Sequence, residues 1–348
     1  MKTKILITGI GGGSVGRQIL KALKLSHLSF FIYGCDVTDL TFGKNEVDTF
    51  IKVPYANNKD YINFVIKTCI RNNIKVLFPG SEKELQTISA HKERFEKEGI
   101  YVPINSKQLI DNCLNKITCT NFLLENGFKS PISLKIETLN DLKKINFFPV
   151  VLKPFSGAGG SANVMIAQNK KELELFSSYL LLNGINIMAQ EYIGKPTEEY
   201  TVGVLCSSKG TLINSIVLNR HITSGLGYKL GVANKTKNKD LGDKLIISSG
   251  ISQGEFIDRS FINEVCEEIA LKLQATSTIN IQGRVHKKEF YIFEINPRFS
   301  GTTSARAVVG FNEPSILIEE KLNNKKIVPF FKYQTGIVYR SLVENLIT

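Results

Sequence analysis

From residue 1 to about residue 105 the chain alternates short apolar runs with stretches of helical period, and few folds accept that alternation. Residues 4–8 are an apolar run, a glycine loop follows, and residues 15–25 have helical spacing. Residues 30–35 predict a second strand, 61–72 a helix, 76–78 a third strand before Pro79-Gly80, and 83–95 another helix. Strands that return in one direction need crossover helices, so the pattern predicts a parallel sheet covered by helices. Residues 106–128 read as two short helices, the first capped by Ser106 and the second ended by Gly127. Residues 150–153, a glycine run and residues 163–167 read as strand, tight turn and strand, and 171–182 as a helix. Beyond 187 the order changes. Strands are expected at 187–190, 200–206, 212–218, 280–285 and 290–295, with one helix at 261–274 and a polar loop at 235–240. The fold class expected is α/β in the first part and α+β in the last.

The 348 residues are enough for two or three hydrophobic cores, and 43% hydrophobic with 22% charged residues is an ordinary globular balance. No apolar run reaches the ~18 residues of a membrane span, and glycines at 9, 11, 12 and 13 cut short any signal peptide. A soluble, unexported, cytoplasmic protein is expected. Its six cysteines form no C-x-x-C pair, which argues for reduced thiols rather than a disulfide framework or structural zinc. The net charge of +12 divides into an excess of five over residues 1–105, three over 106–190 and four over 191–348. A nucleic-acid reader gathers its charge in one block. This even spread favours small anions, such as nucleotides, over a polynucleotide.

Four stretches carry chemistry. Gly9-Ile10-Gly11-Gly12-Gly13-Ser14-Val15-Gly16 holds a G-x-G-x-x-G match at Gly11, Gly13 and Gly16, with Asp36 twenty residues further on. That is a dinucleotide fingerprint, a tight strand–helix turn without a ligand, or a seat for a substrate anion. In Pro149-Val150-Val151-Leu152-Lys153-Pro154, Val151 and Lys153 share one face of a strand, where lysine suits phosphates and valine an apolar ring. The following Ser156-Gly157-Ala158-Gly159-Gly160-Ser161 offers backbone N–H groups as a flap. Ala189-Gln190-Glu191-Tyr192-Ile193-Gly194, then Glu198-Glu199-Tyr200, resembles a strand end, a crossover and a new strand. Its backbone suits an adenine edge and its carboxylate a ribose. The most specific stretch is Phe293-Glu294-Ile295-Asn296-Pro297-Arg298-Phe299-Ser300-Gly301-Thr302. Glu294 and Asn296 alternate onto one strand face, and two hard oxygens there suit Mg²⁺. If residues 280–285 pair with 290–296 around a turn at 286–289, Gln282 stands opposite Glu294 and Asn280 opposite Asn296.

In this order the motifs resemble the ATP-grasp superfamily, and most of all the ATP-grasp units of the carbamoyl phosphate synthetase large subunit and their stand-alone relatives. The resemblance implies a Rossmann-like pre-grasp domain over 1–105, a helical connector over 106–130, a lid over 131–188 and a mixed-sheet core over 189–348. It implies ATP as cosubstrate, with two Mg²⁺ ions for which Mn²⁺ can substitute. Lys116, Lys153 and Arg220 would contact phosphates, and Gly157, Gly159, Gly160 and Ser161 would form the flap. Gln190 and the Glu191, Tyr192 and Ile193 backbone would meet adenine between Val151, Ile193 and Phe293. Glu199 would take the ribose. Gln282, Glu294 and Asn296 would hold metal, and Arg298 would face the transferring phosphoryl with Lys153. The acceptor would lie among Gly11, Gly12, Gly13, Ser81, Glu82, Arg298, Ser300, Gly301 and Thr302. Residues 304–311 would form the helix behind the motif.

The implied activity is carboxylate–amine ligation: a carboxylate becomes an acyl phosphate, ADP is released, and an amine attacks to form an amide. The partners implied are a small-molecule carboxylate and an amine, with no nucleic acid and no membrane span, and a homodimer is left open. Carbamoyl phosphate synthesis takes two phosphorylations, and a single unit argues against it. Two other classes stand beside this one: a nucleotide-binding sensor or scaffold without turnover, and an NAD-dependent oxidoreductase built on the glycine loop.

Overall fold

A computed structural model describes residues 2–11, 13–156 and 161–344. It begins with β1 (Thr3–Ile7), α1 (Val15–Lys24), β2 (Phe30–Asp36), β3 (Thr49–Lys52), α2 (Tyr61–Asn72) and β4 (Val76–Phe78). The strands form a parallel sheet of order β3-β2-β1-β4. The expected helix over 83–95 is two helices, α3 (Glu82–Ser89) and α4 (Lys92–Lys97). Ser89 Oγ donates to the Gln86 carbonyl and His91 N to that of Ile88, which closes a turn where the helix would continue.

The glycine loop is shaped by the approach of two backbones. Gly16 N donates to the Gly80 carbonyl at 3.2 Å. A Cβ on either residue would fall inside contact distance of the Thr8 carbonyl oxygen. This close approach brings the starts of α1 and α3 side by side at the open end of the sheet. Asp36 packs against Gly11 and accepts from Val37 N at 2.8 Å.

In the connector, α5 (Lys107–Leu114) and α6 (Lys116–Glu125) meet at Asn115, whose side chain accepts from the Ile117 and Thr118 amides. Ser106 caps α5 by accepting from Leu109 N, as expected. A second, antiparallel sheet follows, built of β5 (Ser133–Ile136), β6 (Val150–Pro154), β7 (Met165–Ala167) and β8 (Ile187–Glu191) in the order β5-β8-β6-β7. Helix α7 (Lys170–Leu182) covers one face and buries Leu173 and Leu180 among Val150, Leu152 and Ala189.

The third sheet starts with β9 (Glu199–Cys206) and β10 (Leu212–Arg220). A separate hairpin of β11 (Tyr228–Ala233) and β12 (Lys244–Ser248) leaves it before β13 (Gly254–Phe256). Then come α8 (Phe261–Lys272), β14 (Thr278–His286), β15 (Glu289–Asn296), α9 (Thr303–Val308), α10 (Glu313–Leu322) and β16 (Gly336–Val338). The order is β15-β14-β9-β10-β13-β16. Both faces are buried. Val202, Val204, Val217 and Ile281 pack on α8, while Leu205, Ile216, Leu218 and Phe256 share a core with α1, α9 and α10. The cysteines are free and buried, and among the described residues no helix is long and apolar enough to cross a membrane.

Gly80→Ala is expected to cost about 2 kcal/mol or more, because backbone on both sides must move. Gly13→Ala, whose Cβ meets nothing within 4 Å, is expected to leave stability nearly unchanged. Thermal melts of the two variants check the contrast.

Candidate active site

A cavity of about 720 Å³ opens where the three sheets meet. Its walls are the starts of α1 and α3, strands β6 and β8, the end of β12, and the β14–β15 hairpin.

The hairpin has the expected pairs, Gln282 opposite Glu294 and Asn280 opposite Asn296. They arise in an unexpected way. The turn is the two residues Lys287 and Lys288, both at positive φ (48° and 66°), and His286 pairs with Glu289. Positive φ at both central residues is the twist that suits a two-residue hairpin. This register runs one residue out until a bulge at Phe293 restores it. The Phe293 carbonyl accepts from Lys153 Nζ at 3.2 Å.

Lys153 lies on β6 and is 8% exposed, with Nζ donating to Gln190 Oε1 at 2.8 Å. Burial lowers its pKa from 10.5 to about 8; Glu294 pulls the other way, and the nearby Lys116 ammonium adds to the fall. Gln190 was expected to face adenine. Its oxygen instead takes the lysine, and its amide nitrogen donates to Ser133 Oγ at 2.9 Å. The Glu191 and Tyr192 amides donate to the Ile132 and Pro149 carbonyls.

Glu199, expected to take a ribose, is 1% exposed and held by two guanidiniums. Arg220 Nη1 donates to Oε1 at 2.8 Å, and Arg284 donates to Oε2 through Nε at 3.0 Å and Nη2 at 2.9 Å. Burial alone would raise the pKa of this carboxyl, but Arg284 and Arg220 outweigh it and hold it below the ordinary value. Both oxygens are thus bound to protein rather than open to a sugar. Arg284 escaped the sequence reading, although an arginine between Gly283 and Val285 in an apolar strand needs a buried partner. Arg284 also donates to the Ile246 carbonyl at 2.8 Å and lies 4.5 Å from the Tyr192 ring centroid.

Arg220 is 2% exposed. Besides Glu199 it reaches Ser248 Oγ at 2.9 Å, the Ser249 carbonyl at 2.8 Å and Gln282 Oε1 at 3.3 Å. Its Nε is buried without a partner among the described residues, and so is that of Arg298. Arg298 joins Glu82 Oε1 at 2.8 Å and Asn296 Oδ1 at 3.1 Å, which ties the first sheet's α3 to the end of β15. Gln282, Glu294 and Asn296 all line the cavity. They offer hard oxygens with one full charge, a set that fits Mg²⁺ already carried by phosphates better than a free ion.

Val151, Lys116, Ser161, Ile193, Phe293, Gly13, Ser81, Ser300, Gly301 and Thr302 also reach the cavity wall. Gly11 does not; it lies against Asp36 and Thr41, its loop drawn toward β2. Gly12, Gly157, Gly159 and Gly160 lie outside the described residues. The sequence reading also missed Ile247 and Ser248 of β12, which line the cavity from a hairpin it left out.

A family model described as an ATP-grasp domain matches residues 113–302, and one described as a PylC-like N-terminal domain matches residues 5–103. The carbamoyl phosphate synthase large chain of Campylobacter jejuni is 21% identical over 313 residues, covering 86% of this chain and 26% of that one. That of Helicobacter pylori is 23% identical over 314 residues, covering 86% and 27%. The chain spans about a quarter of the length of these relatives. Among solved structures, an L-amino acid ligase from Bacillus licheniformis superposes with a TM-score of 0.65 at 16% identity, covering 94% of this chain and 78% of that one. A biotin carboxylase from Campylobacter jejuni gives 0.63 at 15%, covering 92% and 70%. At these identities the structural likeness is one of fold.

The lowered Lys153 pKa has a consequence for stability. Between about pH 8 and pH 10.5 the unfolded chain holds a proton on this lysine that the folded chain has lost, so its contribution to stability rises with pH there. Lys153→Met removes the buried charge. Its melting temperature relative to the unsubstituted protein is expected to be most favourable below about pH 8 and to fall as pH rises to 10.5. Melts across that range check the sign.

Proposed function

The chain belongs to the ATP-grasp family, and from that premise we propose that it is an ATP-dependent carboxylate–amine ligase. The observation that carries this reading is the charge pattern of the cavity. Lys153, Arg220 and Arg298 converge on one wall of the cavity, Arg220 aimed by Glu199 and Arg298 by Glu82, beside the metal-suited oxygens of Gln282, Glu294 and Asn296. Positioned cationic donors next to hard oxygens suit a polyphosphate carried with a divalent ion.

In this reading adenine lies along the hinge at Glu191, Tyr192 and Ile193, between Val151, Ile193 and Phe293. Gln190 is assigned to orienting Lys153, and Glu199 to fixing Arg220. Lys116, Lys153 and Arg220 meet the phosphates, with Ser161 over them. Gln282, Glu294 and Asn296 would hold Mg²⁺. Bound there, Mg²⁺ would neutralise charge on the phosphates and hold the terminal phosphoryl in line.

Arg298 lies between this end and the acceptor end at Gly13, Ser81, Glu82 and Ser300 to Thr302. A carboxylate oxygen of the acceptor attacks the γ-phosphorus, the bond to the β-phosphate oxygen breaks, and ADP leaves. Arg298 and Lys153 stabilise the charge that spreads over the phosphoryl oxygens. An amine then adds to the acyl carbon, phosphate departs, and the amine proton passes to solvent or phosphate. Closing the sheet that carries Lys153 over the site keeps water from the acyl phosphate. The NAD reading is not favoured: the family match is to an ATP-grasp domain, and Gly16 is taken up by its backbone contact with Gly80.

The deciding experiment screens pairs of carboxylic acids and amines, scoring ADP and product mass together. A ligase releases ADP faster with one pair than with either partner alone, and the product mass equals their sum less water. MgATP binding with no pair that raises ADP release would favour a sensor.

Glu294→Ala is expected to raise the Mg²⁺ concentration for half-maximal turnover about tenfold or more, and Gln282→Ala by less. Glu289→Ala should leave it unchanged, since Glu289 pairs with Lys129 at the far end of the hairpin. Mg²⁺ titrations of the three variants test the ranking, and the reverse order of Gln282 and Glu289 would refute this metal assignment.

A further inference from the structure

The β11–β12 hairpin is fastened to the second sheet at several points. Gln168, just past β7, grips one end: Nε2 donates to the Ala233 carbonyl at 2.9 Å, and Oε1 accepts from Lys235 N at 2.7 Å. Tyr192, just past β8, grips the middle. Its hydroxyl accepts from Ile246 N at 2.7 Å and donates to the Ile246 carbonyl at 3.2 Å. Val151 and Ile166 of the second sheet share an apolar cluster with Leu245 and Ile247. The hairpin thus bridges the second sheet and the third, to which Arg284 ties it through the Ile246 carbonyl.

The last residue of β12, Ser248, is bonded on two sides. Its carbonyl accepts from Ser161 Oγ at 2.8 Å, and its own hydroxyl accepts from Arg220 Nη1 at 2.9 Å. The next carbonyl, Ser249, accepts from Arg220 Nη2 at 2.8 Å. Arg220 thus rests on two kinds of support. Glu199 and Gln282 belong to the third sheet, and Ser248 and Ser249 to the hairpin and its exit. Its Nε, buried and unpartnered among the described residues, lacks the acceptor that a phosphate oxygen supplies.

We propose that Ser248 is a positioning residue that couples the β6–β7 connection at Ser161 to the aim of Arg220 at the phosphate end. This rests on the ligase reading, and it adds a route by which the position of the second sheet sets the grip on the terminal phosphates. When Ser161 holds the Ser248 carbonyl, the Ser248 hydroxyl stands where Arg220 can use it. When that hold is lost, a buried guanidinium loses supports on the hairpin side.

The test is the affinity of the full chain for two probes, the magnesium complex of a non-hydrolysable ATP analogue and adenosine, by titration calorimetry. Ser248→Ala is expected to weaken the triphosphate analogue about tenfold, the weight of one hydrogen bond to a charged group, and to spare adenosine. Ser248→Thr keeps the hydroxyl and restores the triphosphate. Ser161→Ala weakens the same probe, and with Ser248→Ala the combined loss is smaller than the product of the single losses, as members of one network behave. Equal losses for adenosine would make Ser248 a mere strut of the hairpin and overturn the proposal. Losses that multiply would do the same. If the unsubstituted protein binds the analogue no better than adenosine, the ligase reading falls and takes this proposal with it.

Discussion

Glu199 brings a full negative charge to a place that water does not reach, and two guanidiniums close on it from opposite sides. Removing three charges from water costs more than their attraction usually returns, so a triad of this kind adds little net stability. It adds definition. The charges are compensated in one arrangement, and that arrangement ties together parts of the chain far apart in sequence. Arg284 reaches the carbonyls of Ile193, Gly194 and Ile246, and Arg220 reaches Ser248, Ser249 and Gln282. The hinge, the β11–β12 hairpin and the metal-suited strand are therefore held to a single carboxylate at the start of β9.

A second buried pair does for the end of the cavity at Ser300 to Thr302 what Glu199 does for the end at Arg220. Arg306 and Glu313 are both 0% exposed and meet at 2.9 Å. Arg306 also donates to Asn280 Oδ1 at 2.6 Å, and Glu313 accepts from Thr278 and Thr303. Gly203 is needed here, because a side chain on it would fall on the Arg306 guanidinium. Asn280 stands opposite Asn296, so α9 and α10 hold the end of the hairpin from behind. Arg298 then crosses to Glu82 on α3. Each end of the cavity is thus fixed by a charge pair that spans more than one element.

Where a pattern was long, the sequence revealed it. The α2 bounds stood in the residues themselves, because a helix stripe repeats often enough to be read, while the three-residue β4 was marked by Pro79-Gly80 and the start of α5 by the capping residue Ser106. The β14–β15 pairs were reached with the turn placed half a residue off, and the bulge at Phe293 made good the error. Short edge pieces were not legible. Strands β3, β13 and β16 run for three or four residues, and their place is set by neighbours rather than by alternation. The β11–β12 hairpin hides because β11 is half-exposed and carries Lys229 and Gly231. Within the site, residue types were readable and their partners were not. Gln190 and Glu199 carry groups that suit adenine and ribose, but the fold gives Gln190 a lysine and Glu199 two arginines. That preference comes from burial, which a linear sequence does not display.

The same burial explains why the cavity is built at a cost to the free protein. An ammonium with a pKa pushed down to about 8 is held where solvation is poor. Three guanidiniums, Arg220 and Arg298 at the cavity and Arg306 behind it, each keep an Nε–H without an acceptor among the described residues. Leaving a buried donor unpaired costs stability, and at the cavity a phosphate oxygen would recover that cost for Arg220 and Arg298. Keeping them in place means that the donors stand in position before any phosphate arrives, so little reorganisation is left for the moment of binding. Glu199, Gln282 and Gln190 make this possible, since each engages one part of a cationic group and leaves another part unpaired. The acidic and amide groups of the site are thus spent on aiming cations, and the donors they leave open are what remains for a polyanion.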